Sequence, residues 1–114
     1  MKKESEAVLL RIFIGEEDRH EGKPLYKHLV GWFREEGLAG TTVLRGITGF
    51  GKTSHVHTTT ILRLSTDLPI VIEVADNREN IEKIKPKLEG VVKKGLITEE
   101  KIKIVYYEGN SARG

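Results

Sequence analysis

A glycine-rich stretch near the middle of the chain has the spacing of a phosphate-binding loop. Gly46, Gly51, Lys52 and Thr53 occupy the four required places of the pattern G-x-x-x-x-G-K-[ST]. In such a loop, backbone N–H groups surround the phosphates, the lysine reaches the outer phosphates and the hydroxyl holds Mg²⁺. The chemistry that this pattern indicates is nucleotide binding, and in many proteins nucleotide hydrolysis.

The residues that follow the motif do not favour the helix that a phosphate-binding loop must open. From Val56 the chain reads V-H-T-T-T-I-L-R-L, and β-branched residues favour a strand. A chain of 114 residues also leaves little room for a doubly wound hydrolase domain. We therefore predict that the stretch meets phosphate without catalysis, and keep a P-loop-like hydrolase that uses Lys52 and Thr53 as the alternative.

Other chemistry has weaker signals. His55 and His57 share one face of a strand and could bind a metal, but the chain has no Cys and offers no clear third ligand. No nucleophile stands with a base and an orienting acid at readable positions. The aromatic residues do not form the strand motif with which RNA-recognition sheets stack bases. We expect no metal site, no enzymatic activity and no nucleic-acid partner.

Composition indicates one cytoplasmic domain. The formal net charge is only +2, with both signs interspersed, and cysteine is absent, which fits a reducing compartment. No apolar run is long enough to span a bilayer, and the charged start lacks a signal-peptide segment. We expect residues 1–6 to be a disordered extension, residues 7–108 a single domain, and residues 109–114 a loose tail.

Hydrophobic periodicity predicts the strands and helices of that domain. Strands are expected at residues 7–14, 41–48, 70–75 and 101–107, with another at 56–64 inside an extended β-rich loop. The first helix begins at Pro24 and ends at Gly37, with one apolar face formed by Leu25, Leu29 and Phe33. The second helix is capped at Asp76 or Asn77, and Pro86 predicts a kink or a break in it.

This order predicts an α+β fold, the ferredoxin-like βαββαβ sandwich with an antiparallel sheet and both helices on one face. The other face of the sheet would lack cover, so oligomerisation is expected. Glu73 is unusual in its apolar strand. It pairs with Arg11 or Lys103 in the sheet, or it marks a binding pocket.

Several motifs, in order and spacing, resemble those of the PII signalling proteins. They include Gly37 to Val43, Gly49-Phe50-Gly51, and Leu68-Pro69 followed by Ile72-Glu73-Val74. The chain is still more similar to a short PII-like family that carries L-R-G-x-x-G-F-G before a strand with a histidine. Here that motif spans Leu44 to Gly51, followed by His57.

The resemblance implies a non-enzymatic regulator that forms a homotrimer and binds an adenine nucleotide in clefts between subunits. A mobile loop after Gly51 would report the ligand to a partner protein, and some relatives make a membrane transporter or channel a candidate partner. Thr42 would lie near the adenine, and Glu73 near the base in the neighbouring strand. No further cofactor is implied.

The phosphate-binding residues implied by the resemblance come from three places in the chain. Gly49, Phe50 and Gly51 would bring backbone amides to the phosphates, and Lys52 would face them from the mobile loop. Lys101 would be a phosphate-binding lysine at the start of the last strand.

Two departures from the PII pattern affect the expected ligand. The glycine-rich loop before the last strand is replaced by Leu96 to Glu100, whose two carboxylates would repel a polyphosphate, and only Arg113 follows the strand. We therefore expect ADP or AMP in preference to ATP. A ferredoxin-like module that binds a non-nucleotide metabolite stays open as a third possibility.

Overall fold

A four-stranded antiparallel sheet with two helices on one face forms the fold. The computed structural model describes residues 4–49 and 68–108. In chain order the elements are β1 (Ser5–Gly15), β2 (Arg19–His20), β3 (Lys23–Pro24), α1 (Leu25–Glu35), β4 (Thr41–Arg45), β5 (Pro69–Asp76), α2 (Arg78–Val91) and β6 (Leu96–Ile104). The sheet order is β4-β5-β1-β6, and β2 pairs only with β3. The predicted ferredoxin-like α+β fold is confirmed.

Alternation along β1 places the core under the helices. Val8, Leu10, Ile12 and Ile14 point to the same face, and each is at most 6% exposed. They pack against apolar residues of both helices and of β5. Burying each aliphatic side chain contributes about 1.5–3 kcal/mol, so this face supplies most of the stability of the single chain.

Helix α1 agrees with its predicted apolar face. Leu25, Leu29 and Phe33 are buried, as their four-residue spacing requires. Pro24 lies at the N-cap, just outside the helix and not within its first turn. After the helix, Gly37 has φ 81°, the left-handed conformation that ends many helices.

Helix α2 has one of its two predicted caps and differs from the prediction at Pro86. Asn77 is the cap, and its side chain accepts a 2.8 Å hydrogen bond from the Asn80 backbone N–H. Asp76 is buried and accepts a 2.8 Å bond from the backbone N–H of Ala39. The predicted break at Pro86 is wrong, because the helix continues to Val91 and the exposed Pro86 leaves its missing hydrogen bond at the surface.

Three strand boundaries also differ from the predictions. β1 begins at Ser5, so residues 5 and 6 belong to the sheet. β4 ends at Arg45 and not at residue 48. The last bond to the neighbouring strand comes from the Gly46 N–H, which donates to the Pro69 carbonyl at 2.7 Å. β6 covers residues 96–104 and not 101–107, since Leu96 to Glu100 pair with β1.

Several predictions lie outside the described residues. They are the strand at 56–64, the histidine pair, the N-terminal residues 1–3 and the tail at 109–114. Within the described ranges, neither helix combines the length and the apolar character needed to cross a membrane.

Candidate functional site

An ion-paired cluster lies at the centre of the sheet face that the helices leave open. The Arg11 Nε atom is 3.0 Å from Glu73 Oε2, and its Nη1 atom is 3.1 Å from Glu100 Oε1. These carboxylates, Glu73 first, raise the pKa of the Arg11 guanidinium above its ordinary value. The predicted pairing of Glu73 with Arg11 is confirmed, while its place in a nucleotide pocket stays a prediction.

Apolar side chains surround this cluster on the same face. Leu9 and Phe13 of β1 and Val71 of β5 are half-buried, whereas Leu44 and Leu96 are 48% and 56% exposed. A single chain thus leaves a broad, partly apolar surface in water, and such surfaces mark interaction sites.

Thr42 lies beside the cluster on the edge strand β4. It is exposed and pairs directly with Glu73, so both side chains point to the open face. Two of the residues predicted to contact the base are therefore neighbours in this fold.

The glycines that precede residue 50 are held against Pro69. A Cβ atom added to Gly46 would lie 2.7 Å from Pro69 Cγ, closer than real Cβ contacts allow. Gly49 has φ 154°, and a Cβ there would lie 3.3 Å from the same atom. Packing on Pro69 alone explains the glycine at position 46. Phe50, Gly51 and Lys52 lie outside the described residues.

Glu16 contacts the chain both before and after residues 50–67, through an ion pair and a backbone hydrogen bond that sequence analysis did not predict. Arg45 Nη2 binds Glu16 Oε2, and the backbone N–H of Glu16 donates to the Leu68 carbonyl at 2.8 Å. The second carboxylate oxygen of Glu16 is buried without a hydrogen-bond partner among the described residues. Glu16 occurs in a run of charged loop residues, where nothing in the sequence distinguishes it from Glu17.

Lys101 lies far from these residues within one chain. It is the sixth residue of β6, it pairs with Val8, and it is exposed on the helix side of the opposite edge. Lys101 and Asp76 both pair with Val8, at one end of the sheet. Gly46 is hydrogen-bonded to Pro69, at the other end of β5. The strand geometry separates the two positions by roughly 14 Å across the sheet and 20 Å along it. The prediction that Lys101 begins the last strand is wrong.

The two carboxylates expected to repel phosphate are already engaged with cations. Glu99 binds Lys85 at 2.7 Å and Arg78 at 2.9 Å, and Glu100 binds Arg11 on the other face. Lys85, followed by Arg78, holds the pKa of Glu99 below its ordinary value. These residues form a paired strand and not the predicted loop, because their backbone pairs with β1. The cations then compensate the two carboxylates.

Metal-ligand side chains do not cluster in the described part of the chain. No group of three or more His, Asp or Glu residues there could hold a metal ion.

Comparisons of the sequence identify a family. The model of DUF190, described as "Uncharacterized ACR, COG1993", matches residues 7–104. A UPF0166 protein of Aquifex aeolicus is 41% identical over 98 residues, which cover 86% of this chain and 92% of that protein. A UPF0166 protein of Methanocaldococcus jannaschii is 44% identical over 92 residues, which cover 80% and 84%.

Solved structures share the fold at low sequence identity. A Thermus thermophilus protein described as PII-like and signalling superposes with a TM-score of 0.61 and 18% identity, over 91% of this chain and 94% of that one. CPII of Thiomonas intermedia, a nitrogen regulatory PII-like protein bound to ADP, AMP and bicarbonate, gives 0.57 and 17%, over 97% and 95%. The chain has the PII-like fold.

Proposed function

The chain belongs to the DUF190 family, and we propose that it is a PII-like, non-enzymatic regulator that binds an adenine nucleotide in clefts between its own copies. The shared fold supports this proposal, since CPII carries ADP and AMP. The ligand proposed here is ADP or AMP in preference to ATP. A membrane transporter or channel is the partner that the resemblance suggests.

The observation that carries the proposal is the division of the predicted residues between two edges of one sheet. Thr42 and Gly49 belong to the β4 edge and Lys101 to the β6 edge. A ligand that touches both edges needs two chains, the β4 edge of one copy meeting the β6 edge of another. Contacts between unlike surfaces form a ring when the rotation between copies closes, and the resemblance implies a ring of three. We therefore propose a homotrimer with one cleft at each contact.

The structure of β6 favours a short phosphate chain. Leu96 to Glu100 pair with β1, so ladder bonds engage much of their backbone. A glycine-rich loop would instead direct free N–H groups at a third phosphate. Lys101 has no ion pair among residues 4–49 and 68–108, so its charge is available to a ligand.

One observation speaks against the hydrolase that would use Lys52 and Thr53. A phosphate-binding loop follows a strand buried inside a parallel sheet. Here β4 precedes Gly46 as an edge strand of an antiparallel sheet, and Leu44 and Arg45 are exposed.

Thermal unfolding with AMP, ADP or ATP, each with and without Mg²⁺, tests the proposal. A nucleotide at about a hundred times its dissociation constant adds roughly 2.7 kcal/mol to the free energy of unfolding, a rise of several degrees in melting temperature. We expect the rise with ADP or AMP to exceed that with ATP, and Lys101→Ala to abolish it. Lys103→Ala, on the same strand, is the matched control and should keep the response.

Mixing two defective variants tests whether the cleft lies between copies. Thr42→Ala damages the β4 edge and Lys101→Ala the β6 edge, so neither homotrimer should bind. After the variants are unfolded and refolded together, random assortment gives about a quarter of the clefts two intact edges. Recovery of that share of nucleotide binding, measured by calorimetry, would support the shared cleft.

Other outcomes would overturn parts of the proposal. No shift with any nucleotide would exclude adenine-nucleotide binding and turn the search to other metabolites. Phosphate release that requires Mg²⁺ and is lost in Lys52→Ala would establish the hydrolase. Binding by each single variant alone would show that the edges do not form the site.

A further inference from the structure

A groove lies between α1 and α2 on the side of the helix layer that faces away from the sheet. It encloses about 620 Å³. Its walls include Lys23 of β3, Lys27 in the first turn of α1 and Lys87 of α2, together with Gly31 and Trp32 of α1. The groove belongs to neither the open sheet face nor the strand edges discussed above.

The charges of the groove are unbalanced. The side-chain ammonium groups of Lys23 and Lys27 form no ion pair or hydrogen bond with any residue in 4–49 or 68–108. Lys87 is 4.0 Å from the Glu36 carboxylate, and Glu35 is the one acidic residue that lines the groove among those described. Because Glu36 contacts both Lys87 and Trp32, the positive charge without a carboxylate partner is that of Lys23 and Lys27, although the whole chain carries a net charge of only +2.

Glycine in the helix walls is not required by the packing of the chain itself. Gly31 lies in the middle of α1 and Gly90 near the end of α2, and a Cβ at either would meet no atom within 4 Å. Glycine within a helix costs about 0.5–1 kcal/mol relative to alanine. Glycine at these two positions lowers the stability of the helices, and it leaves backbone without a side chain that another molecule can approach.

Trp32 supplies the apolar surface of the groove. It is half-buried, its indole N–H donates to Glu36 at 3.2 Å, and the Lys87 ammonium lies 6.0 Å from the ring centroid. These contacts fix the ring beside the lysines. Half-exposed tryptophans next to cations are typical anchors in protein interfaces.

We infer that this groove binds an acidic amphipathic segment of a partner protein. Its carboxylates would pair with Lys23, Lys27 and Lys87, and an apolar side chain would lie on Trp32 above Gly31. A flat bilayer would not reach the floor of a groove between two helices, and Glu35 would oppose an anionic membrane. A small free anion would gain little from lysines spread along the walls, so the charge and the shape together favour a peptide.

The single tryptophan of the chain makes the test direct, because its fluorescence reports on this groove alone. The probe is a synthetic peptide of about 14 residues, roughly four helical turns, with leucines on one face and glutamates on the other. Titrated into the full chain, it should cause a saturable blue shift as the indole leaves water. A peptide with lysine in place of glutamate should cause none.

Charge variants connect the response to the groove. Lys23→Glu/Lys27→Glu should weaken binding of the acidic peptide by about tenfold or more, because attraction becomes repulsion. Lys94→Glu/Lys103→Glu makes the same change in net charge outside the groove and should leave the affinity within about twofold. An equal loss in both double variants would show long-range attraction only and overturn the inference.

A variant that fills the groove separates binding from folding. A Cβ at position 31 would meet no atom within 4 Å, and leucine is a better helix former than glycine. Gly31→Leu should therefore melt no lower than the wild type, while the peptide response is lost. An unchanged affinity in Gly31→Leu would overturn the inference. So would a Trp32 response to phosphatidylserine vesicles or inorganic phosphate without a response to the peptide.

Discussion

Two neighbouring leucines of β1 illustrate how the two faces of the sheet differ. Leu10 points to the helices and is 1% exposed, whereas Leu9 points to the open face and is only half-buried. The helix face is completed by α1 and α2 of the same chain. The open face combines apolar side chains with the Arg11–Glu73–Glu100 cluster, and nothing among the described residues covers it. The comparison teaches that one face stabilises the chain, while the other leaves a partly apolar surface on which the proposed association of copies can be tested.

The largest effect is expected from the matched pair Leu10→Ala and Leu9→Ala. Leu10→Ala removes a buried side chain and should cost about 2–5 kcal/mol of unfolding free energy at every protein concentration. Leu9→Ala should cost much less in the dilute monomer but weaken the assembly. Urea unfolding over a range of concentrations, together with sedimentation, measures both. If both variants lost the same unfolding free energy at every protein concentration, the two faces would not differ in the way proposed.

Two arginines on opposite sides of the sheet provide the next comparison. Arg11→Gln leaves the carboxylates of Glu73 and Glu100 facing each other without their cation. In a contact that excludes water this should weaken self-association by about tenfold or more. Arg78→Gln breaks exposed pairs with Glu82 and Glu99 and should change association little. A weaker assembly in Arg78→Gln alone would assign the contact to the helix side.

The smallest effect concerns acid sensitivity and the adjacent pair Glu99 and Glu100. Lys85 and Arg78 lower the pKa of Glu99 in the folded chain, so its unfolded form binds a proton at higher pH than its folded form. Its contribution to stability is complete above its ordinary pKa of about 4.3 and is lost as pH falls through the lower, folded value.

Glu99→Gln should therefore flatten the fall in melting temperature between about pH 5 and pH 3. Glu100→Gln should instead alter the association state, because Glu100 pairs with Arg11 on the open face. Calorimetry across this pH range, with sedimentation at each step, distinguishes them. A slope that is unchanged in Glu99→Gln would mean that its ion pairs do not persist in solution.

Sequence patterns were sufficient to predict the elements that are stabilised by contacts near in sequence or by apolar burial alone. The unbroken apolar run predicts β1, and Leu25, Leu29 and Phe33 predict α1, because a single periodicity determines which side chains are buried. The Arg11–Glu73 pair was also among the predicted possibilities, since a charge inside an apolar strand needs a partner.

β6 was misplaced because its stabilising contacts are remote in sequence. Leu96 to Glu100 contains two acids and a threonine, which indicate a loop when read alone. The strand forms because its backbone pairs with β1 and Ile97 packs against the core, and Glu99 and Glu100 add ion pairs to α2 and β1. The same limitation applies to the site. The sequence indicates phosphate-binding residue types, but the pairing registers determine that Lys101 and Gly46 lie at opposite edges.

The first and last strands of the chain are neighbours, and this arrangement determines when the protein can fold. Arg11 and Glu100 are 89 positions apart yet form an ion pair, and Ser5 lies opposite Ile104. During synthesis, β1 leaves the ribosome first and obtains its second partner strand last. Folding that depends on such distant contacts is slow, and an unpaired strand edge attracts other chains. The growing polypeptide is therefore most exposed to aggregation before β6 has emerged, and a message truncated ahead of Leu96 would yield a chain that never leaves that state.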